Sequence, residues 1–283
     1  MNITVLTIFP EMFGPVTTQS MLGRANDAGI LRVEVKNIRD YTLDKHGRTD
    51  DTPFGGGAGM VFTPEPVFRA LEDLHIPAGA SQTGTFEKTG KGSQASARPR
   101  CIYLSPRGRM LDRPLIEELS HEKELVLLCG HYEGVDQRIL DAYDMEEVSV
   151  GDYILTGGEL PAMILIDAVA RFLPDVLGNR ESNSEESIYS GLLEYPQYTK
   201  PRVYRAMEVP GVLVSGDHEK IALWQFEQSL RLTRKRRPDL FEAYCEKHRE
   251  ALTARKLPGT ESLSKKQVQV LKQVLAEGTD HEQ

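Results

Sequence analysis

The segment 149–162, with the sequence SVGDYILTGGELPA, has the residue types needed to bind a flat ligand through its own backbone. Its three glycines allow positive φ angles and a close approach of the main chain, so that N–H and C=O groups can face the edge of a ligand. Ile154 and Leu155 can supply apolar contacts to the ligand faces. The segment therefore predicts an adenine pocket made mostly of main chain, and a tight turn before a buried helix is the alternative.

Other patterns that could do chemistry are incomplete. His131, Glu133 and Asp136 offer only one nitrogen ligand and follow no helix-face or strand-face spacing, so no metal site is expected there. The glycine-dense segment 44–60 lacks the Gly-Lys-Ser/Thr of a P-loop, which favours a flexible loop over a nucleotide contact. No serine occupies a G-x-S-x-G motif, no G-x-G-x-x-G follows a predicted strand, and Cys129 ends a predicted core strand. Hydrolytic and Rossmann-type chemistry are therefore not indicated.

The charge of the chain is unevenly distributed. The formal net charge of the 283 residues is −8, which argues against a general polyanion binder. Residues 1–199 have 18 Lys and Arg against 30 Asp and Glu, a net of −12, whereas residues 200–256 have 13 against 8, a net of +5. This predicts two domains, one that grips an anionic macromolecule and one that works on it. Three distant cysteines indicate free thiols in a reducing cytosol, and no apolar run approaches the length of a membrane span.

Alternating strand and helix patterns predict an α/β fold with a mostly parallel sheet that is covered on both faces. The predicted strands are 2–9, 31–37, 100–104 and 124–129, and the predicted helices of this part are 16–28, 64–74, 113–120 and 161–172. Ligands of such sheets sit at the carboxyl ends of the strands. The loops 103–108, 130–136 and 149–158 are therefore expected on one rim.

The other segments predict an insertion, a linker and a second helical part. Residues 78–98 are rich in Gly, Ser, Thr and Gln, so we expect a mobile surface insertion without chemistry. Residues 174–200 are expected to link a domain at 1–173 to a domain at 201–283. Helices are predicted at 264–275 and at 218–234, the second with an apolar side formed by Ile221, Leu223, Trp224, Leu230 and Leu232. We expect phosphate contacts, rather than a solvated face, from Arg231, Arg234, Lys235, Arg236 and Arg237.

Five motifs occur together in one order: PFGGGAGM at 53–60, YLSPRG at 103–108, CGHYEGVD at 129–136, SVGDYILTGGELPA at 149–162 and GLLEYPQYTKP at 191–201. In this combination the chain closely resembles the bacterial tRNA (guanine-37-N1)-methyltransferases of the SPOUT superfamily, from Met1 to about Arg237. The resemblance implies an α/β domain with a deep trefoil knot, whose loops hold S-adenosylmethionine, and a small helical C-terminal domain that helps to hold tRNA. It also implies a cytoplasmic homodimer with an active site shared between subunits.

The resemblance assigns roles to individual residues. Glu186 matches the family's catalytic base, an aspartate, with Glu185 as the competing position, and Arg171 is assigned to stabilise negative charge at guanine O6. Asp50 and Gly59 belong to a loop that is a candidate wall for a guanine rotated out of its stack. His131 stands where the family often has arginine. In this chain, a contact to the cofactor carboxylate or to a substrate phosphate that the arginine would make must therefore be weaker or come from another residue. The family's cofactor pocket is matched by Tyr103, Leu104, Pro106, Gly130, Glu133, Gly134, Ser149, Val150, Gly151, Tyr153, Leu155, Gly157 and Gly158.

Two other functions compete with tRNA guanine-N1 methylation. A non-catalytic RNA-binding protein would use the basic helices but would need neither the glycine loop at 149–158 nor Glu186. A SPOUT enzyme that methylates a ribose 2′-OH would leave no modified base. No metal ligand set is assigned, and a requirement for Mg²⁺ is left open.

Overall fold

The computed structural model describes residues 1–79, 98–177, 188, 190–253 and 263–277. It divides the chain into two compact units, Met1–Arg180 and Glu181–Gln283. Most of the predicted insertion at 78–98 and part of the predicted linker at 174–200, with Glu185 and Glu186, lie outside the described residues. None of the described helices is long and apolar enough to cross a membrane.

The first unit alternates strands and helices along the chain. Its strands are β1 (Asn2–Thr7), β2 (Arg32–Asn37), β3 (Asp50–Asp51), β4 (Val61–Phe62), β5 (Arg100–Met110), β6 (Glu124–Cys129) and β7 (Glu146–Ser149). Its α-helices are α1 (Gly14–Thr17), α2 (Ser20–Asp27), α3 (Pro64–Asp73), α4 (Arg113–Ser120), α5 (Gln137–Tyr143) and α6 (Glu159–Ala170). The strands predicted at 2–9, 31–37 and 124–129 and the helices predicted at 64–74, 113–120 and 161–172 are confirmed to within two residues.

Five of these strands form one parallel sheet in the order β2-β1-β6-β5-β7. The predicted α/β class with a mostly parallel sheet is therefore confirmed. Side chains alternate between the two faces, as the pleat of a strand requires. On β6, Leu125, Leu127 and Cys129 belong to the hydrophobic cluster that includes residues of α2, α4 and α6, and Val126 and Leu128 belong to the cluster that includes residues of α3 and α5. Burial on both faces explains why β6 is a continuous apolar run.

Two predicted boundaries in this unit are wrong. The helix expected at 16–28 is split into α1 and α2, because the Thr18 hydroxyl donates to the Gly14 carbonyl at 2.8 Å and the backbone at Ser20 has a φ of 55°. Strand β5 does not end at Leu104. Both Leu104 and Arg109 align with Val148 of β7, so residues 105–108 bulge out of the ladder and the strand resumes after them.

The glycine-dense segment 44–60, expected to be a flexible loop, is framed by a short antiparallel ladder. Asp50 pairs with Phe62 and Asp51 with Val61 in the β3–β4 hairpin. Phe62 also forms a parallel bridge with Val135, which joins this hairpin to the loop after β6. The sequence patterns did not predict this hairpin, because each of its strands has only two residues.

The second unit is mainly helical in the residues that are described. It contains β8 (Val203–Tyr204), β9 (Met207–Glu208), α7 (His218–Arg236), α8 (Pro238–Lys247), α9 (Arg249–Thr253) and α10 (Lys265–Ala276). The helices predicted at 218–234 and 264–275 are confirmed, and α10 begins with a capping box between Ser264 and Gln267. The α8 and α9 helices and the β8–β9 hairpin were not predicted.

The core of this unit is centred on α7. Leu192, Leu230, Phe241, Tyr244, Leu271 and Val274 form its buried cluster. Of the five residues expected on the apolar side of α7, only Leu230 is buried, and Ser229 and Thr233 complete the buried face. The polar Thr233 is tolerated there because its hydroxyl donates to the Ser229 carbonyl at 2.6 Å and accepts from the Leu193 N–H at 2.8 Å.

Candidate functional site

A cavity of about 280 Å³ lies at the carboxyl ends of β5, β6 and β7. Its walls come from the bulge of β5, the loop after β6 and the loop between β7 and α6, which are the three loops expected on one rim. All thirteen residues matched to the cofactor pocket line it: Tyr103, Leu104, Pro106, Gly130, Glu133, Gly134, Ser149, Val150, Gly151, Tyr153, Leu155, Gly157 and Gly158. The structure therefore brings together segments that are separated by up to about 50 residues in the chain.

The glycines of this site let the loops pack against each other. The Gly158 N–H donates to the Gly130 carbonyl at 2.8 Å, and His131 forms an antiparallel bridge with Gly157. A Cβ on Gly130 would lie 2.8 Å from the Tyr103 ring, and one on Gly158 would lie 2.8 Å from Cα of Cys129. Real Cβ atoms do not approach other atoms so closely. Both positions therefore require glycine for contacts within the protein, in addition to any contact with a ligand.

The loop between β7 and α6 is folded back on itself. Gly151 has a φ of 153°, and its N–H donates to the Ser149 hydroxyl at 3.2 Å. The Tyr153 hydroxyl donates to the Val150 carbonyl at 3.3 Å. Ile154 is highly exposed, and Leu155 is 37% exposed. The glycines of this loop and its apolar residues Ile154 and Leu155 line the cavity, and the adenine pocket stays a prediction.

Burial raises the pKa of both Tyr103 and Cys129. A tyrosine hydroxyl is protonated at neutral pH in any case, and burial moves the pKa of Tyr103 further above neutrality, so this hydroxyl is available as a hydrogen-bond donor at the cavity. Burial, followed by the nearby Glu159 carboxylate, raises the pKa of the Cys129 thiol well above its usual value. Cys129 is completely buried, so it packs in the core and has no thiolate for nucleophilic attack.

Glu159, which was not among the predicted site residues, lies in the first turn of α6 and helps to hold the start of this helix in place. It is only 3% exposed, and a carboxylate at this end of a helix is favoured by the helix dipole. The Thr7 hydroxyl donates to Glu159 Oε1 at 2.8 Å and accepts from the Phe9 N–H at 3.0 Å. This chain ties the end of β1 to the start of α6. The signal in the sequence was an acidic residue directly after two glycines and before an apolar run.

The β3–β4 hairpin borders the cavity. The Glu133 N–H donates to the Met60 carbonyl and the Phe62 N–H to the Gly134 carbonyl, both at 3.0 Å. Gly59 is so close to the Glu133 side chain that a Cβ would collide with it. Asp50 lies at the base of the hairpin, paired with Phe62. Of the two residues predicted in the wall, Gly59 therefore contacts a cavity residue directly, and Asp50 lies where the hairpin begins.

His131 lies in the cavity wall with an unusual feature. Its Nδ1 atom is buried and has no hydrogen-bond partner among the described residues. The ring contacts the edge of Phe9 at a centroid distance of 5.2 Å and that of Tyr132 at 4.8 Å. A Cβ on Gly157 would lie 2.7 Å from Nδ1, so the imidazole is packed against this glycine.

Arg171 does not lie at the cavity of its own chain. It is the C-cap residue of α6, whereas the cavity is at the N-terminal end of this helix, at Gly158 and Pro161. Thirteen residues separate Gly158 from Arg171, which corresponds to about 20 Å along a helix. Glu186, the other predicted catalytic residue, lies outside the described residues.

The predicted basic cluster in the second unit consists of two kinds of residue. Arg231 is paired with Glu227 at 2.8 Å and with Glu277, and Arg237 with Asp239 at 2.6 Å. Arg234 donates to the Val274 carbonyl and lies 5.8 Å from the centre of the Phe241 ring. Lys235 and Arg236 are exposed and have no acidic partner among the described residues. Only these two are available for phosphate without breaking an internal contact of the described structure.

The first unit is thus a parallel α/β sheet with a glycine-rich cavity at its carboxyl edge, and the second unit is mainly helical in its described residues and has exposed positive charge. The family model described as "tRNA (Guanine-1)-methyltransferase TrmD" matches residues 1–243, and the chain belongs to that family.

Relatives named "tRNA (guanine-N(1)-)-methyltransferase" are similar over nearly the same range. The protein from Alkaliphilus oremlandii is 50% identical over 244 residues, 86% of this chain and 93% of the relative. The protein from Moorella thermoacetica is 51% identical over 240 residues, 85% of this chain and 90% of the relative. The protein from Staphylococcus epidermidis is 48% identical over 254 residues, 89% of this chain and 96% of the relative.

Proposed function

We propose that this protein transfers a methyl group from S-adenosylmethionine to N1 of guanosine 37 in tRNA, next to the anticodon. Membership of the tRNA (Guanine-1)-methyltransferase family and relatives with about half of their residues identical support methylation of tRNA guanine N1. The observation that carries the choice of donor is the convergence of all thirteen matched residues on one cavity.

The cavity suits S-adenosylmethionine chemically. Main-chain groups of the 149–158 loop suit the polar edge of an adenine, and Tyr103 and Leu155 offer it apolar surface. The exposed Glu133 carboxylate suits the positively charged amino group of the methionine part. When bound, the donor supplies an electrophilic methyl group on a sulfonium sulfur. The protein's part is to hold the acceptor nitrogen in line with it.

The acceptor must be activated by the protein. Guanine N1 carries a proton at neutral pH and becomes a good nucleophile only when it loses it. The Glu186 carboxylate takes this proton, and the Arg171 guanidinium stabilises the negative charge that gathers on O6. Because N1 lies on the Watson–Crick edge, the base must leave its stack, and the β3–β4 hairpin with Asp50 and Gly59 forms a wall of its pocket.

The position of Arg171 supports a homodimer with a shared active site. Leu160 and Ile164 on α6 are 48% and 45% exposed, and together with Asp167 and Arg171 they follow the i, i+4, i+7, i+11 spacing of one helix face. When the two-fold axis that packs this face against its own copy runs perpendicular to α6, the two α6 helices are antiparallel. The C-terminal end of one helix then meets the N-terminal end of the other, which brings Arg171 of the partner subunit to the cavity.

A deep trefoil knot is proposed for the first unit. Chain connections in proteins usually do not thread through one another. A knot therefore needs one loop to pass through another, which brings their backbones into close contact. Gly158 lies against the backbone of Cys129 and Gly130, and the bulge after Leu104 projects into the same cavity. This crowding is what a knot at the cavity requires. Residues 1–173 then act as the catalytic domain and 201–283 as the tRNA-binding domain. They are joined by 174–200, of which Leu192 packs in the core of the second unit.

Replacing Gly157 with valine should weaken binding of S-adenosylmethionine by at least about tenfold without unfolding the protein. The atoms nearest to the added side chain are the ends of the His131 and Glu159 side chains rather than backbone. A displaced imidazole enters the cavity, and a shift of the buried Glu159 strains its hydrogen bond with Thr7, so the melting temperature should fall without loss of the fold. At Gly158 the nearest atoms are backbone, so Gly158→Val should also lower the melting temperature. Calorimetric titration and thermal unfolding measure both effects.

Gly211→Val is the matched control, because nothing lies within 4 Å of a Cβ at that position and no proline follows it. It should change neither the donor affinity nor the melting temperature. A Gly157→Val protein that binds S-adenosylmethionine as tightly as wild type would contradict the assignment of this cavity.

Removing Lys235 and Arg236 together should weaken tRNA binding and flatten its salt dependence by about two slope units, about one for each lost phosphate contact. Arg234→Ala should instead lower the melting temperature, because Arg234 contacts Val274 and Phe241 inside the helical unit. Binding titrations over a salt series, combined with thermal unfolding, separate the two effects. Normal binding of the Lys235→Ala, Arg236→Ala double variant at every salt concentration would show that these two cations form only a solvated face.

The proposed function as a whole is tested with tRNA transcripts that have G or A at position 37 and with labelled S-adenosylmethionine. We expect label transfer only to the G37 transcript and 1-methylguanosine after digestion to nucleosides. Equal transfer to both transcripts would refute the specificity, and a 2′-O-methylated nucleoside would identify a ribose methyltransferase. Binding of tRNA without any transfer would favour a non-catalytic RNA-binding protein. Repeating the assay with and without Mg²⁺ shows whether the metal is needed.

A further inference from the structure

The β8–β9 hairpin of the second unit is an exposed surface that the proposed chemistry does not use. Every residue from 196 to 208 is exposed. Tyr204 and Met207, which pair across the hairpin, are 55% and 66% exposed, and Tyr198 and Val203 are similarly open to solvent. Apolar and aromatic side chains exposed together on a small element indicate a binding surface.

The hairpin is well defined despite its size. Its two central residues, Arg205 and Ala206, have φ angles of 47° and 64°, which is the turn that matches the twist of a two-residue hairpin. The Val209 N–H donates to the Arg202 carbonyl at 2.9 Å, and Arg202 is paired with Glu208 at 3.0 Å. An isolated two-stranded hairpin is only marginally stable in water. The β8–β9 hairpin is nevertheless held in shape by these contacts while its apolar side chains stay exposed. This combination favours a role for the hairpin in contacting another molecule.

The chemistry of the tip suits RNA. The Arg205 guanidinium lies 5.4 Å from the centre of the Tyr204 ring and has no acidic partner among the described residues. The segment 198–209 contains three basic residues, Lys200, Arg202 and Arg205, and one acidic residue, Glu208. An aromatic ring beside an arginine is the combination on which unstacked bases stack and to which phosphates bind.

The surface fits RNA better than a second copy of this chain. Each strand of the hairpin has only two residues. A surface of this size is too small to bury the area of about 800 Å² per partner that a stable protein interface needs. Arg205, which has no acidic partner among the described residues, is also free to bind a phosphate, and an RNA backbone supplies phosphates along its whole length.

We propose that the β8–β9 hairpin contacts unstacked nucleotides of the tRNA substrate, with a base on Tyr204 and a phosphate on Arg205. This inference rests on the proposed function, because tRNA is the RNA that reaches the protein for methylation. It adds a contact that is separate from Lys235 and Arg236 on α7. The hairpin supplies affinity for tRNA and takes no part in the methyl transfer itself.

The test compares Tyr204→Ala and Arg205→Ala with Arg69→Ala, which removes an exposed arginine from α3 in the first unit. Measurements are tRNA affinity over a salt series, S-adenosylmethionine affinity, methylation rate at saturating tRNA, and oligomeric state by sedimentation. Loss of stacking in Tyr204→Ala should weaken tRNA binding about 5- to 100-fold with an unchanged salt slope. Arg205→Ala should weaken binding and reduce the slope by about one unit. Donor affinity, saturated rate and the Arg69→Ala control should match wild type.

Two results would overturn the inference. One is wild-type tRNA affinity in both hairpin variants. The other is a change in oligomeric state, which would show that the hairpin binds a second copy of the chain. Failure of the proposed function would look different: the wild-type protein itself would bind tRNA through the hairpin without forming 1-methylguanosine.

Discussion

Glu186→Gln should lower the rate of methyl transfer by about 10²- to 10⁴-fold, the usual contribution of a well-placed general base. Glutamine has nearly the same shape as glutamate but cannot take the N1 proton of guanine, so the nitrogen stays a poor nucleophile. The affinities for S-adenosylmethionine and tRNA should change little, because the proposed donor and tRNA contacts are made by other residues. Single-turnover rates at saturating tRNA and donor measure the chemical step directly.

Two further variants locate the base. Glu186→Asp introduces the aspartate that the family has at this position and should stay active. A rate below that of wild type is expected, because a misplacement of the carboxylate by about 1 Å can cost on the order of 10²-fold. Glu185→Gln should keep most of the activity. If Glu185→Gln were the inactive variant and Glu186→Gln the active one, the base would be the neighbouring residue.

The elements of the first unit could be predicted because local patterns decide them. The buried strand β6 has an uninterrupted apolar run, and α4 is preceded by the N-cap residue Asp112, whose side chain accepts from the Leu115 N–H at 3.0 Å. The bulge of β5 could not be predicted, since it depends on how β5 aligns with Val148, about 40 residues further along the chain. The break between α1 and α2 likewise depends on one hydroxyl contact and one unusual φ angle.

The location of the cavity could also be predicted, because it follows from the predicted parallel sheet. Parallel strands end at one edge of a sheet, so the three glycine-bearing loops had to meet. Their glycines were interpreted as a way for the backbone to approach a ligand. In the structure Gly130 and Gly158 are also required where the loops pack on each other. No local pattern reports that kind of contact, and none would report the crossing of chain segments in the proposed knot.

The basic cluster shows a limit of counting charges. The pairing of Arg231 with Glu227 is a contact between residues four apart on one helix and is visible in the sequence. Its pairing with Glu277, 46 residues away, depends on the packing of α10 against α7. Arg234 is engaged through Val274 of the same helix. Folding therefore reduces a run of five cations to two that are available to a phosphate, Lys235 and Arg236.

Arg171→Ala and Gly157→Val should each inactivate the proposed homodimer, yet a mixed dimer of the two variants should regain about half of the wild-type rate. The cavity of the Arg171→Ala chain is intact and would be served by Arg171 of the partner subunit, which carries Gly157→Val. The second site of the same dimer lacks both a normal cavity and the arginine. Co-expression with two different affinity tags isolates the mixed dimer, and methylation of G37 tRNA measures its activity.

The length of α6 makes this result discriminating. Gly158 and Arg171 are separated by about 20 Å along one helix, so an active site within a single chain would have to bridge that distance. If it did, both chains of the mixed dimer would be defective and the activity would stay at the level of the inactive homodimers. Ile164→Asp provides the control for assembly. It places a charge on the exposed apolar face of α6 and should yield monomers that still bind S-adenosylmethionine but methylate no tRNA, because the cavity then has no second subunit to supply Arg171.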